Sequence, residues 1–122
     1  MARVLIVDDS MFQRRTVRRI LQSEGHEILE AADGAEALEI IESHDPSYVV
    51  LDLLMPNVGG TEVLDSLKDK VSRPDVIVLT SDVQDSTRVQ CLELGARLVL
   101  NKPPDPDELR QAVNGFTAEV TK

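Results

Sequence analysis

Short, continuous apolar runs alternate with helix-period segments five times along this chain, and that alternation restricts its fold more than any other feature. Residues 3–7 (RVLIV), 48–52 (YVVLD) and 75–80 (DVIVLT) are β-branched and aliphatic without polar alternation, as strands covered on both faces are. Residues 26–31 (HEILEA) give a weaker strand and residues 97–100 (RLVL) a fifth. Over 10–23, Val17, Ile20 and Leu21 recur at helical spacing, and Gly25 provides the stop. Asp33 and Glu36 read as a capping box for a helix to about residue 43, with Ala37, Leu38 and Ile41 inward. A loop with Pro56, Gly59 and Gly60 precedes a helix over 61–69 that carries Val63, Leu64 and Leu67. A further helix over 85–94 stops at Gly95. Asp105 as cap, Pro106 at the first helical position and Glu108 completing the box open the last helix, with Leu109, Ala112, Val113 and Phe116 as its buried stripe.

Five alternating β and α units imply a parallel sheet, and right-handed crossovers place helices on both of its faces. Runs one and three are the most apolar and belong near the centre. The expectation is a flavodoxin-like (βα)5 doubly wound α/β sandwich, five-stranded, in the order 2-1-3-4-5. A chain of 122 residues has room for one core, and no linker, repeat or low-complexity stretch divides it. Residues 1–122 are therefore expected to be a single domain.

Within this pattern Asp52 is conspicuous, a carboxylate in an otherwise apolar run. A buried unpaired charge is costly, so the strand should end there and a cation should wait nearby. In open parallel sheets ligands bind beyond the carboxyl ends of the strands, where the order reverses. Run one ends in Asp8-Asp9, run three in Asp52, run four in Thr80-Ser81 and run five in Asn101-Lys102-Pro103. Two carboxylates about 5 Å apart at an effective dielectric of about 20 repel by roughly 3 kcal/mol. Three ionised acids therefore need compensation. Lys102 supplies one positive charge; a divalent ion supplies two, and oxygen-only ligands select Mg²⁺ or a similar hard cation over zinc. Neither His26 nor His44 sits at a strand's carboxyl end. Such a site suits attack by Asp52 on phosphorus, giving an acyl phosphate while cations neutralise the phosphoryl oxygens. The same residues could instead form a salt-bridged loop cluster that only fixes the strand ends.

Charge narrows the partners. The formal net charge of −9 disfavours nucleic acid and anionic membrane. The basic run RRTVRR (14–19) is short and falls on the first helix, where it reads as a solvated or partner-facing side. Cys91, the single cysteine, permits no internal disulfide and reads as a small packed residue. The apolar run before Asp8-Asp9 is too short for a signal peptide or a membrane span, so a soluble, cytoplasmic protein is expected.

Taken jointly, VLIVDDS, VVLDLLMP with Gly60 eight residues after Asp52, VIVLTS, and LNKPP following Gly95 resemble the receiver domain of two-component response regulators. The resemblance covers essentially the whole chain. It implies that Asp52 is the phosphoacceptor, that Asp9 ligates Mg²⁺ directly with Asp8 helping through water, and that the backbone carbonyl of Leu54 is a further ligand. Thr80 corresponds to the switch hydroxyl and Lys102 to the phosphoryl-binding lysine, with a cis bond before Pro103. The chain departs from the family pattern at Val99, where an aromatic rotameric switch often stands. Leu54 and Asp82 occupy the positions that border the hydrolytic water, and Pro104 makes a double proline.

The resulting expectation is a stand-alone receiver without an output domain, a phosphorylation-controlled switch and not a turnover enzyme. A sensor histidine kinase or histidine phosphotransfer protein would supply the phosphoryl group, docking near Met11, Phe12, Arg14 and Arg15, all expected to be exposed. A downstream effector protein would read the surface formed by helix 4, strand 5 and helix 5. A haloacid-dehalogenase-type phosphatase would place a second acid two residues after its nucleophile, where this chain has Leu54. A degenerate receiver that only binds would not need the acids, Thr80 and Lys102 together.

Overall fold

A computed structural model describes residues 2–55, 58–70 and 72–114. Ten elements alternate strictly: β1 (Arg3–Val7), α1 (Met11–Gln22), β2 (Glu27–Ala31), α2 (Gly34–His44), β3 (Tyr48–Leu51), α3 (Gly60–Leu67), β4 (Asp75–Thr80), α4 (Asp85–Glu93), β5 (Leu98–Asn101) and α5 (Pro106–Val113). The five strands form one parallel sheet in the order β2-β1-β3-β4-β5, the expected flavodoxin-like arrangement.

Strand alternation splits the core in two. Leu5, Val7, Val49, Leu51, Val76 and Val78 pack with Ala37, Ile41, Val63, Leu64, Leu67 and Cys91 on the α2–α4 side. Val4, Ile6, Val50, Ile77 and Leu79 pack with Val17, Leu21, Leu109, Ala112 and Val113 on the α1–α5 side. The central strands β1, β3 and β4 are apolar over nearly their whole length because both of their faces are covered, whereas the edge strand β2 carries Glu27 and Glu30. Phe116, expected on the α5 stripe, and Pro56 of the loop before α3 lie outside the described residues.

Local chemistry sets the element ends. Ser10 caps α1 by accepting from the Gln13 amide at 3.2 Å, and Gly25 turns the chain at φ +83°. Asp33 caps α2 by accepting from the Glu36 amide at 2.8 Å. Glu36 reaches back one residue further than a standard capping box, to the Ala32 amide, also at 2.8 Å. Asp105 accepts from the Asp107 and Glu108 amides at 2.9 and 3.3 Å.

Several boundaries differ from the sequence expectation: β5 runs Leu98–Asn101 in place of the expected 97–100, and α3 ends at Leu67, short of residue 69. β2 begins at Glu27 because His26 serves a junction: Ala2 N–H donates to its Nδ1 at 3.0 Å, and its Nε2 lies 2.8 Å from Asn114 Oδ1. β3 ends at Leu51, leaving Asp52 as the first residue beyond the strand. α3 starts at Gly60, whose amide donates to the Leu53 carbonyl at 3.1 Å. A Cβ at Gly60 would lie 2.5 Å from the Asp52 carbonyl oxygen, so only glycine lets this helix start so close to the site.

Candidate functional site

Strand register decides which side chains meet. Val7 pairs with Leu51, so β1 and β3 end level and the next residues, Asp8 and Asp52, emerge side by side. Thr80 pairs with Asn101 at the ends of β4 and β5, which places Lys102 one residue beyond, at the same edge. Asp8 and Asp52 are each 6% exposed, whereas Asp9 is exposed.

Lys102 bridges the two buried acids. Its Nζ donates to Asp8 Oδ2 at 2.8 Å and lies 3.4 Å from Asp52 Oδ1. The Lys102–Pro103 peptide is cis, as the family resemblance implies. Asp8 also accepts from the Ser10 amide at 2.9 Å, which ties the acid to the start of α1. One carboxylate oxygen from each of Asp8, Asp9 and Asp52 lies within 4.8 Å of the others.

Charge here is under-compensated. Burial pushes the Asp52 carboxyl above the ordinary aspartate value, and the Asp8 charge adds to that; Lys102 pulls it back without cancelling the effect. Burial opposes the charged form of Lys102. The hydrogen bond to Asp8 and the charges of Asp52 and Asp8 outweigh it, so the ammonium is held more firmly than usual. Three carboxylates face one ammonium, and every donor is an oxygen. The set fits a hard divalent cation such as Mg²⁺.

Thr80 is fully buried. Its hydroxyl accepts from the Asp82 amide at 3.1 Å, and its carbonyl accepts from the Lys102 amide at 2.8 Å. The Asp82 carboxylate is turned towards α4, where it accepts from the Gln84 amide at 2.9 Å and the Thr87 hydroxyl at 2.7 Å. These two bonds hold its pKa below the ordinary value. Asn101 Nδ2 donates to the Thr80 and Asp82 carbonyls at 3.4 and 3.3 Å, closing the loop onto β5.

The sequence model of the response regulator receiver domain matches residues 4–114. The chain belongs to this family. Among curated relatives, the receiver is 33% identical to "Chemotaxis protein CheY" of Bacillus subtilis over 113 residues, covering 92% of this chain and 94% of that one. It is 37% identical to "Probable transcriptional regulator ycf27" of Porphyridium aerugineum over 120 residues, covering 98% of this chain and 50% of that one. The receiver thus spans about half the length of some relatives and nearly all of others. The solved receiver domain of the Francisella response regulator 1452 superposes with a TM-score of 0.89 at 28% identity, each chain covered in full.

Of the residues expected at a docking face, Met11 and Phe12 are 61% and 76% exposed, and Arg15 is exposed. Arg14 is not. Its Nε donates to Glu30 Oε1 at 2.8 Å and its Nη1 to the Asp8 carbonyl at 2.6 Å, leaving the side chain 15% exposed. The basic run is therefore not wholly a solvated side, since Arg18 also pairs with Glu30. The signal available for this in the sequence was an acid, Glu30, between the apolar Leu29 and Ala31 of β2.

Proposed function

We propose that the receiver is a phosphorylation-controlled switch that takes a phosphoryl group onto Asp52 from a sensor histidine kinase or a histidine phosphotransfer protein. The observation that carries this reading is the pairing of Asp52 with Lys102 beside Asp8 and Asp9, at the one sheet edge where the chain turns polar at or just beyond the ends of β1, β3, β4 and β5. A carboxylate oxygen of Asp52 forms the new bond to phosphorus. The bond from phosphorus to the donor's imidazole nitrogen breaks, and the imidazole leaves with the electron pair. Lys102 neutralises a phosphoryl oxygen and orients the group. Asp9, Asp52 and the Leu54 carbonyl, with Asp8 nearby, would hold Mg²⁺, which would supply charge stabilisation of the phosphoryl oxygens.

The reaction is limited to the receiver's own phosphorylation and dephosphorylation. Exposed Met11, Phe12 and Arg15 flank the acids and form the docking face for the donor. Thr80 then turns its hydroxyl from the Asp82 amide to a phosphoryl oxygen, gaining a charge-assisted bond. The Asp82 amide, freed, carries the change to α4 through Gln84 and Thr87. An open cleft of about 280 Å³ lined by Asp82, Val83, Gln84, Asp85, Arg88, Val99 and Asn101 lies along that route, at the α4–β5 edge an effector would read. Val99, with a stiff χ1, cannot act as a swinging ring.

Incubation with Mg²⁺ and acetyl phosphate, followed by intact-mass measurement, tests the reading. One phosphoryl adduct is expected on the parent and none on Asp52→Ala; equal adducts on both would overturn it. For the switch, Thr80→Ala should suppress the distant amide NMR shifts caused by a beryllofluoride phosphoryl mimic, and Val99→Ala should retain most of them. The reverse pattern sinks this account of coupling.

A further inference from the structure

The peptide joining Asp8 to Asp9 is planar, so the direction of the Asp8 carbonyl fixes how the chain enters Asp9. That carbonyl accepts from Arg14 Nη1 at 2.6 Å. Arg14 is itself fixed from its other side, with Nε donating to Glu30 Oε1 on β2 at 2.8 Å, and its side chain is largely buried. The remaining polar groups of Asp8 are anchored as well: its amide on Ala31 O, its carboxylate on the Ser10 amide and Lys102. Asp9 has no such support. Among the described residues nothing bonds its carboxylate, so its position follows from the peptide that precedes it.

We infer that Arg14 is a positioning residue for the cation site: by gripping the Asp8–Asp9 peptide it sets where the Asp9 carboxylate stands relative to Asp52. The inference rests on the reading of these acids as a Mg²⁺ site. Both donors of the fork are needed, one for Glu30 and one for the carbonyl, and a lysine ammonium is a point charge without that fork. Arg18 provides the internal control, because it pairs with Glu30 but not with Asp8. Electrostatics alone predicts the opposite sign: deleting a nearby guanidinium should tighten binding of a cation.

Calorimetric titration of MgCl₂ into the parent, Arg14→Ala, Arg14→Lys and Arg18→Ala, well below their melting temperatures, tests this. Outer partners that orient a ligand typically contribute tenfold or more, so both Arg14 variants should bind Mg²⁺ about tenfold more weakly, with Arg18→Ala within about twofold of the parent. If Arg14→Ala does not fold, Arg14→Lys decides. Binding by the Arg14 variants as tight as the parent's, or tighter, overturns the inference and leaves the Mg²⁺ site intact. A parent that takes up no Mg²⁺ overturns both.

Discussion

Two acid clusters lie close together in this molecule and are built in opposite ways. In one, Glu30 faces two guanidiniums, Arg14 and Arg18, and they hold its pKa below the ordinary value although burial works the other way. In the other, Asp8 and Asp52 share the single ammonium of Lys102, Asp9 stands beside them with no partner among the described residues, and the Asp52 carboxyl is held high. The first cluster is complete as it stands and stabilises the seam between α1 and β2. The second has surplus negative charge that folding alone does not compensate. It is stable only to the extent that other interactions carry it, and it is poised to gain from a cation. The contrast separates a completed ion pair from a cluster with unmet charge: both are acids with basic neighbours, and the ratio of the charges differs.

The strongest way to break this contrast is through chemistry. Asp52→Asn should abolish phosphoryl uptake from acetyl phosphate, while Arg18→Ala, in the complete cluster, should leave the extent of uptake near that of the parent. Intact mass reads both, and loss in Arg18→Ala would show that the clusters are not separable.

Mg²⁺ should give the next largest effect. At a hundredfold excess over Kd a ligand that binds only the folded state adds about 2.7 kcal/mol. Thermal melts should show that gain in the parent and little of it in Asp9→Asn. Without metal, Asp9→Asn should be as stable as the parent or more so, because a repelling charge has gone. A clearly less stable metal-free variant would assign Asp9 a structural role.

Glu30→Gln should have the opposite sign. Losing the charge on one side of a partly buried, hydrogen-bonded pair costs about 1–2 kcal/mol. Urea unfolding without Mg²⁺ checks it, and stabilisation by Glu30→Gln would remove the distinction between the two clusters.

The smallest effects are in pH. Glu30 has a lowered pKa in the fold, so its contribution is present above its ordinary value of 4.5 and is lost as pH falls through the lowered one. Asp52 is raised, so the folded state holds its proton longer than the unfolded chain does. Metal-free stability from this group therefore declines as pH rises from the ordinary 3.8 through the raised value. Stability–pH curves of the parent minus those of Glu30→Gln and of Asp52→Asn should slope in opposite directions. Parallel slopes would contradict the charge assignment.

The strand order and the meeting of polar residues at one sheet edge were legible in the sequence for a common reason. Apolar runs with no polar alternation report burial on both faces, and whatever polar residue ends such a run must emerge at the sheet edge. Asp8, Asp52, Thr80 and Lys102 could therefore be placed together without knowing any contact among them. Element ends were less legible where a side chain had another partner, as with His26, drawn out of β2 by Ala2 and Asn114.

What only the tertiary structure decided was the division of labour among the charges. Arg14 and Arg15 are adjacent and chemically identical in sequence, yet Arg14 is nearly enclosed between Glu30 and the Asp8 carbonyl while Arg15 is exposed. Asp82 lies two residues beyond the fourth strand, close to where Asp8 lies beyond the first, yet its carboxylate serves α4. Local pattern fixes which face of an element a residue occupies, because helical and strand periods are properties of the backbone. Which opposite charge it meets depends on the distance and angle between elements far apart in the chain. In this protein those are set when α1 packs across β1 and β2.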